Sequence, residues 1–92
     1  MKNINTKLSI LRDEIDHLDQ KLLEILSKRA KVVKKIGKLK NNNKIPPLDK
    51  TRWLEVIKSN SVKSKSLNLS TKFTNKIFKV IHEHSISLQQ IK

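Results

Sequence analysis

The chain has 92 residues, a formal net charge of +13, one glycine, no cysteine and 3% aromatic residues. Its length suits one small domain, near the lower limit at which a lone hydrophobic core is adequate. The composition excludes disulfides, thiolate metal sites and glycine-rich phosphate loops. No apolar run approaches the ~18 residues of a membrane span. The opening Met1-Lys2-Asn3-Ile4-Asn5-Thr6 has no apolar signal-peptide region, so a cytoplasmic protein without membrane association is expected.

The first predicted element is a helix over about 4–40. Its apolar residues are Ile4, Leu8, Leu11, Ile15, Leu18, Leu22 and Ile25, and after Arg29 they resume at Val32, Ile36 and Leu39. Steps of four and three alternate, which makes the seam of a helix packed along another helix. Glu14, Asp16 and Asp19 come early and Lys31, Lys34, Lys35 and Lys38 late, the order that complements the helix dipole. Asn41-Asn42-Asn43 stops the helix, and Pro46-Pro47 forms an extended connector. Asp49 is a natural N-cap for a short second helix over about 49–59, carrying Arg52, Trp53, Val56 and Ile57. The Ser/Lys-rich stretch from Asn60 to Ser66 reads as a loop. A third helix starts near Ser70 and runs through Phe73, Ile77, Ile81, Ser85 and Leu88 to about 91. The pattern is all-α, with three helices, no internal repeat and no second domain.

The length of the first helix bears on assembly. About 37 residues at ~1.5 Å each span ~55 Å, whereas a compact globule of this chain length is only ~30 Å across. A single chain cannot cover such a seam. The expected solution is a two-fold homodimer with intertwined long helices.

The charge allows two readings, a Lys-rich solvated surface or an anionic partner. Lysines are scattered along the chain, and Trp53, Phe73 and Phe78 are too sparse for a base-stacking platform. A small anion is therefore expected rather than nucleic acid. Arg29 is the most telling cation, because a guanidinium within an apolar seam must be paired. Positions 25, 26, 32 and 33, one turn away, hold no acidic residue; a distant partner or an anionic ligand must answer it. Lys40 lies three turns plus ~20° further along the same face. Arg12 lies ~25 Å up the axis and ~100° round, so it can serve the same ligand only from the other protomer. Asp49, Arg52, Ser85 and Gln89 complete the polar set. Trp53 reads as core or site wall. His17 reads as surface, and His82 and His84 as exposed or interface residues. His82 and His84 flank Glu83 but point apart on a helix, so no metal site is expected.

The run Leu11-Arg12-Asp13-Glu14-Ile15-Asp16 through Leu22-Leu23 to Arg29 resembles the first-helix signature of the all-helical, AroQ-type chorismate mutases. Ile36-Gly37-Lys38-Leu39-Lys40, Pro46-Pro47-Leu48-Asp49 through Arg52, and Ser85 through Gln89-Gln90 continue the resemblance over nearly the whole chain. The resemblance implies a homodimeric enzyme of aromatic amino acid biosynthesis that rearranges chorismate to prephenate without a cofactor. It also implies roles. Arg29 and, in trans, Arg12 hold the two carboxylates, and Lys40 and Gln89 donate to the ether oxygen. Arg52 and Ser85 line the carboxylate side, and Asp49 sits near the ring hydroxyl. The chemistry suits these residue types, since an intramolecular rearrangement needs positioning and electrostatics rather than a nucleophile. One departure stands out: the family usually places Glu directly after the second-helix arginine, bonding the hydroxyl, and here that residue is Trp53. Loss of such a contact costs about 1.5–3 kcal/mol. Two other readings stay open, an isochorismate-pyruvate lyase of the same fold and a weakly active or non-catalytic dimeric module.

Overall fold

A computed structural model describes residues 2–90. These form three helices and no strand, α1 (Lys2–Asn42), α2 (Lys50–Ser66) and α3 (Thr71–Gln89). None of the helices is long and apolar enough to cross a membrane. The chain divides into two compact units, Met1–Val32 and Val33–Lys92. The first contains the greater part of α1. The second contains the end of α1, the connector, α2 and α3.

In the first unit the seam is an apolar stripe without a covering layer. Ile4, Leu8, Leu11, Ile15, Leu18, Leu22 and Ile25 are all exposed, by 41–62%. Arg12 is exposed and Arg29 is half-buried. On the polar side, His17 Nδ1 lies 2.8 Å from the Asp13 carbonyl oxygen.

In the second unit α2 packs against α3. Small residues make the close contact: Ser64 and Thr74 are buried, and Ser61 Oγ lies 3.4 Å from Asn75 Oδ1. At the end of α1 the inward residues are Val33 and Gly37, both buried, and the half-buried Lys40. This stripe lies one residue round from Val32, Ile36 and Leu39, which are 42–64% exposed. The seam is therefore not the face that packs within the chain. The reason lies in Gly37. A Cβ there would stand 2.9 Å from Gln89 Cα and 3.3 Å from Gln89 Cβ, so the missing side chain lets α3 approach the α1 backbone at that point.

Helix ends follow local chemistry. Asn41-Asn42-Asn43 is where α1 stops, but Lys44 is the residue in the left-handed conformation (φ 56°). The Ile45 N–H donates to the Lys40 carbonyl at 2.8 Å and the Lys44 N–H to the Asn41 carbonyl at 3.2 Å, the paired bonds of a Schellman cap. The Asp49 side chain caps α2 by accepting from the Arg52 N–H at 3.0 Å. Ser70 caps α3 by accepting from the Phe73 N–H at 3.2 Å. The loop expected over Asn60–Ser66 is instead helix, because Ser and Lys carry only small helix penalties and no Gly or Pro interrupts them. The break falls at Leu67–Ser70, where Asn68 (φ 59°) and the Leu69 N–H bond to the Ser64 carbonyl at 2.8 Å repeat the Schellman cap. The third helix ends at Gln89, with Gln90 as C-cap; Ile91, its last expected residue, lies outside the described residues.

Two substitutions test these features. Lys44→Gly should stabilise the protein by about 1 kcal/mol in urea unfolding, since glycine relieves the left-handed strain. No gain would mean that Lys44 is not strained. Gly37→Ala would add about 1 kcal/mol in a free helix, but here it should destabilise by about 1–3 kcal/mol through overpacking against the α3 backbone. A net gain would show that α3 yields easily at Gln89.

Candidate active site

The second unit holds five of the seven predicted polar residues, Lys40, Asp49, Arg52, Ser85 and Gln89, and joins two of them directly. The Lys40 ammonium donates to the Pro47 carbonyl and to Gln89 Oε1, both at 2.8 Å. It thus ties the end of α1 to the connector and to the end of α3. A lysine has three N–H donors, and among the described residues two are engaged. Gln89 must turn its oxygen to Lys40, because an ammonium cannot accept, and its NH₂ group is left as a donor. The pair therefore presents N–H groups of both residues. A cleft of about 340 Å³ adjoins it, lined by Lys34, Gly37, Lys38, Asn41, Leu88 and Gln89 among others.

The connector positions the α2 residues. Pro46-Pro47 keeps the connector out of helix, the chain bends at Pro47, and Asp49 stands at the N-cap with φ −126° and ψ 99°. One carboxylate oxygen is engaged with the Arg52 N–H. The Arg52 guanidinium reaches Glu55 Oε1 at 3.7 Å, with both side chains largely exposed. An exposed pair of this kind contributes at most ~1 kcal/mol, so Arg52 can exchange Glu55 for a better anion. Ser85 is buried on α3, and its hydroxyl donates to the Ile81 carbonyl at 2.8 Å.

Trp53 is half-buried and stacks on His82, with ring centroids 4.0 Å apart and planes 18° apart. The site-wall reading of Trp53 thus acquires a partner that the sequence did not suggest. His82, expected at the surface or an interface, is half-buried against Trp53, whereas His84 is exposed. The overlooked signal was position: 82, 85 and 89 are spaced three and four apart, on one face of α3. Gly37 was also overlooked as a positioning residue. Arg12 and Arg29 belong to the first unit.

In chemical terms the second unit offers oriented N–H donors (Lys40, Gln89), an exchangeable guanidinium (Arg52), a carboxylate (Asp49) and a flat aromatic wall. Such a set can bind an anion and meet negative charge that grows on an ether or carbonyl oxygen.

Comparison with known proteins agrees with this chemistry. The family model described as chorismate mutase type II matches residues 11–90. A chorismate mutase of Methanocaldococcus jannaschii is 30% identical over 84 residues, covering 91% of this chain and 85% of that protein. Two bifunctional chorismate mutase/prephenate dehydratases of Buchnera aphidicola are 30% and 33% identical. They come from the subspecies of Acyrthosiphon pisum and Schizaphis graminum. The matches cover 94% and 98% of this chain but only 22% and 23% of those longer proteins. With the family model matching residues 11–90 and a relative 30% identical over most of both chains, the chain belongs to the type II chorismate mutase family.

Proposed function

We propose that this chain is a chorismate mutase, an isomerase that converts chorismate to prephenate on the route to aromatic amino acids. The observation that carries the reading is the Lys40–Gln89 pair, whose Nζ and Oε1 are 2.8 Å apart. In the rearrangement the ether C–O bond breaks as a C–C bond forms within the same molecule, so no atom enters or leaves. Negative charge grows on the ether oxygen, where N–H groups of Lys40 and Gln89 donate. Arg29, Arg52 and the partner's Arg12 clamp the carboxylates and hold the folded conformer, with Ser85 on the carboxylate side and Asp49 and Trp53 at the ring. Positioning of this kind removes several kcal/mol from a barrier without a general base.

The working unit in this reading is a homodimer. Seven seam residues of α1 stand 41–62% exposed in the single chain. Covering them is worth on the order of 5–10 kcal/mol per chain, comparable with the whole stability of a small domain. The exposed Val32, Ile36 and Leu39 extend the same stripe, which leaves the 33/37/40 face for the chain's own α3. Arg12 then acts across the interface.

Separate incubation with chorismate and isochorismate decides the reaction. Prephenate from chorismate is expected; salicylate and pyruvate from isochorismate, with no prephenate, would replace the reading with a lyase. Mixed variants decide the trans role. Arg12→Ala and Lys40→Ala should each be inactive as pure dimers. Unfolded together and refolded, half of the dimers are mixed, and each mixed dimer carries one intact site in two. About a quarter of native activity should return. No recovery would place Arg12 in its own chain's site.

A further inference from the structure

We propose that His82 is a substrate-contacting residue of this site, and that its ring N–H donates a hydrogen bond to the ring hydroxyl of chorismate. The inference rests on the proposed mutase reading and deepens it. Chorismate has four polar groups: two carboxylates, an ether oxygen and a hydroxyl. In that reading the arginines answer the carboxylates, and Lys40 with Gln89 answers the ether oxygen. A hydroxyl both donates and accepts. Asp49 can only accept, and one of its oxygens already caps α2, so the hydroxyl still lacks a donor.

His82 fits that vacancy on three counts. It shares the α3 face of Ser85 and Gln89, within ~11 Å of Gln89 along the helix axis. Its ring is held flat against Trp53 at 4.0 Å, which fixes its plane and directs its nitrogens edgewise. Neither nitrogen has a hydrogen-bond partner among the described residues, in contrast to His17, which bonds the Asp13 carbonyl. Trp53 follows Asp49 by one turn of α2, so the wall and the carboxylate stand on neighbouring positions of one helix. In this arrangement Trp53 is the positioning residue that orients His82. A stack with a purely structural role would contribute to stability alone.

The test compares chorismate with an analogue whose ring hydroxyl is replaced by hydrogen, using the native protein and His82→Phe, which keeps the stack and removes the N–H. The native protein should prefer chorismate. His82→Phe should lose about fivefold to tenfold in kcat/KM for chorismate and nothing for the analogue. Equal losses on both substrates, or none on either, would overturn the role of His82 while leaving the mutase reading intact. A native protein that forms no prephenate would overturn both. Should His82→Phe fail to fold, ring ¹⁵N resonances of native protein arbitrate. The His82 signal should shift with chorismate and not with the analogue, and the same shift with both would overturn the contact.

Discussion

The constraint on which this structure depends is an apolar stripe that its own chain does not cover. The first helix runs 41 residues, and its seam from Ile4 to Ile25 remains exposed. Val33 is the only buried hydrophobic residue among those described. A chain so poor in interior gains little stability from its own core, and a second copy is the proposed cover for the exposed stripe. The proposed intertwined dimer rests on this hydrophobic area, and the proposed shared site rests on the dimer. Arg12 lies on the stripe-bearing part of α1, while Lys40, Arg52 and Gln89 lie in the other unit.

Within that second unit, order comes from a few polar and small groups rather than from a large core. Gly37 allows the close approach of Gln89, and Lys40 then joins Gln89 to the connector carbonyl of Pro47. A charge-assisted bond of this type is worth about 1.5–3 kcal/mol. The same bonds that hold the three segments together orient the N–H donors of Lys40 and Gln89. In the proposed reading stability and preorganisation are one arrangement, and a glycine one turn from Lys40 then bears on catalysis without touching substrate.

Much of this was legible in the sequence, for identifiable reasons. The four-and-three spacing of α1 marks a seam whatever covers it, and Asp49 and Ser70 are caps by side-chain chemistry. Of the expected site residues, the structure joins Lys40 to Gln89 directly; the roles of Arg12, Arg29 and Arg52 stay with the proposal. Three features were not. Residues 60–66 are rich in Ser and Lys, which suit a polar loop by composition yet carry only small helix penalties, and no Gly or Pro breaks them. The inward face of α1 at Val33 and Gly37 lies one residue off the seam, and periodicity alone cannot separate a face that packs within a chain from one that packs between chains. The Trp53–His82 stack joins residues on different helices, and short-range pattern carries no trace of it.

The central claim is that folding of this chain and its assembly are one event. Urea unfolding, followed by circular dichroism and by emission of the single Trp53 across a hundredfold range of protein concentration, tests it most directly. A dimer without a stable folded monomer should show coincident transitions whose midpoint rises with protein concentration. A midpoint independent of concentration, with a folded species of 10.7 kDa in sedimentation equilibrium, would contradict the account.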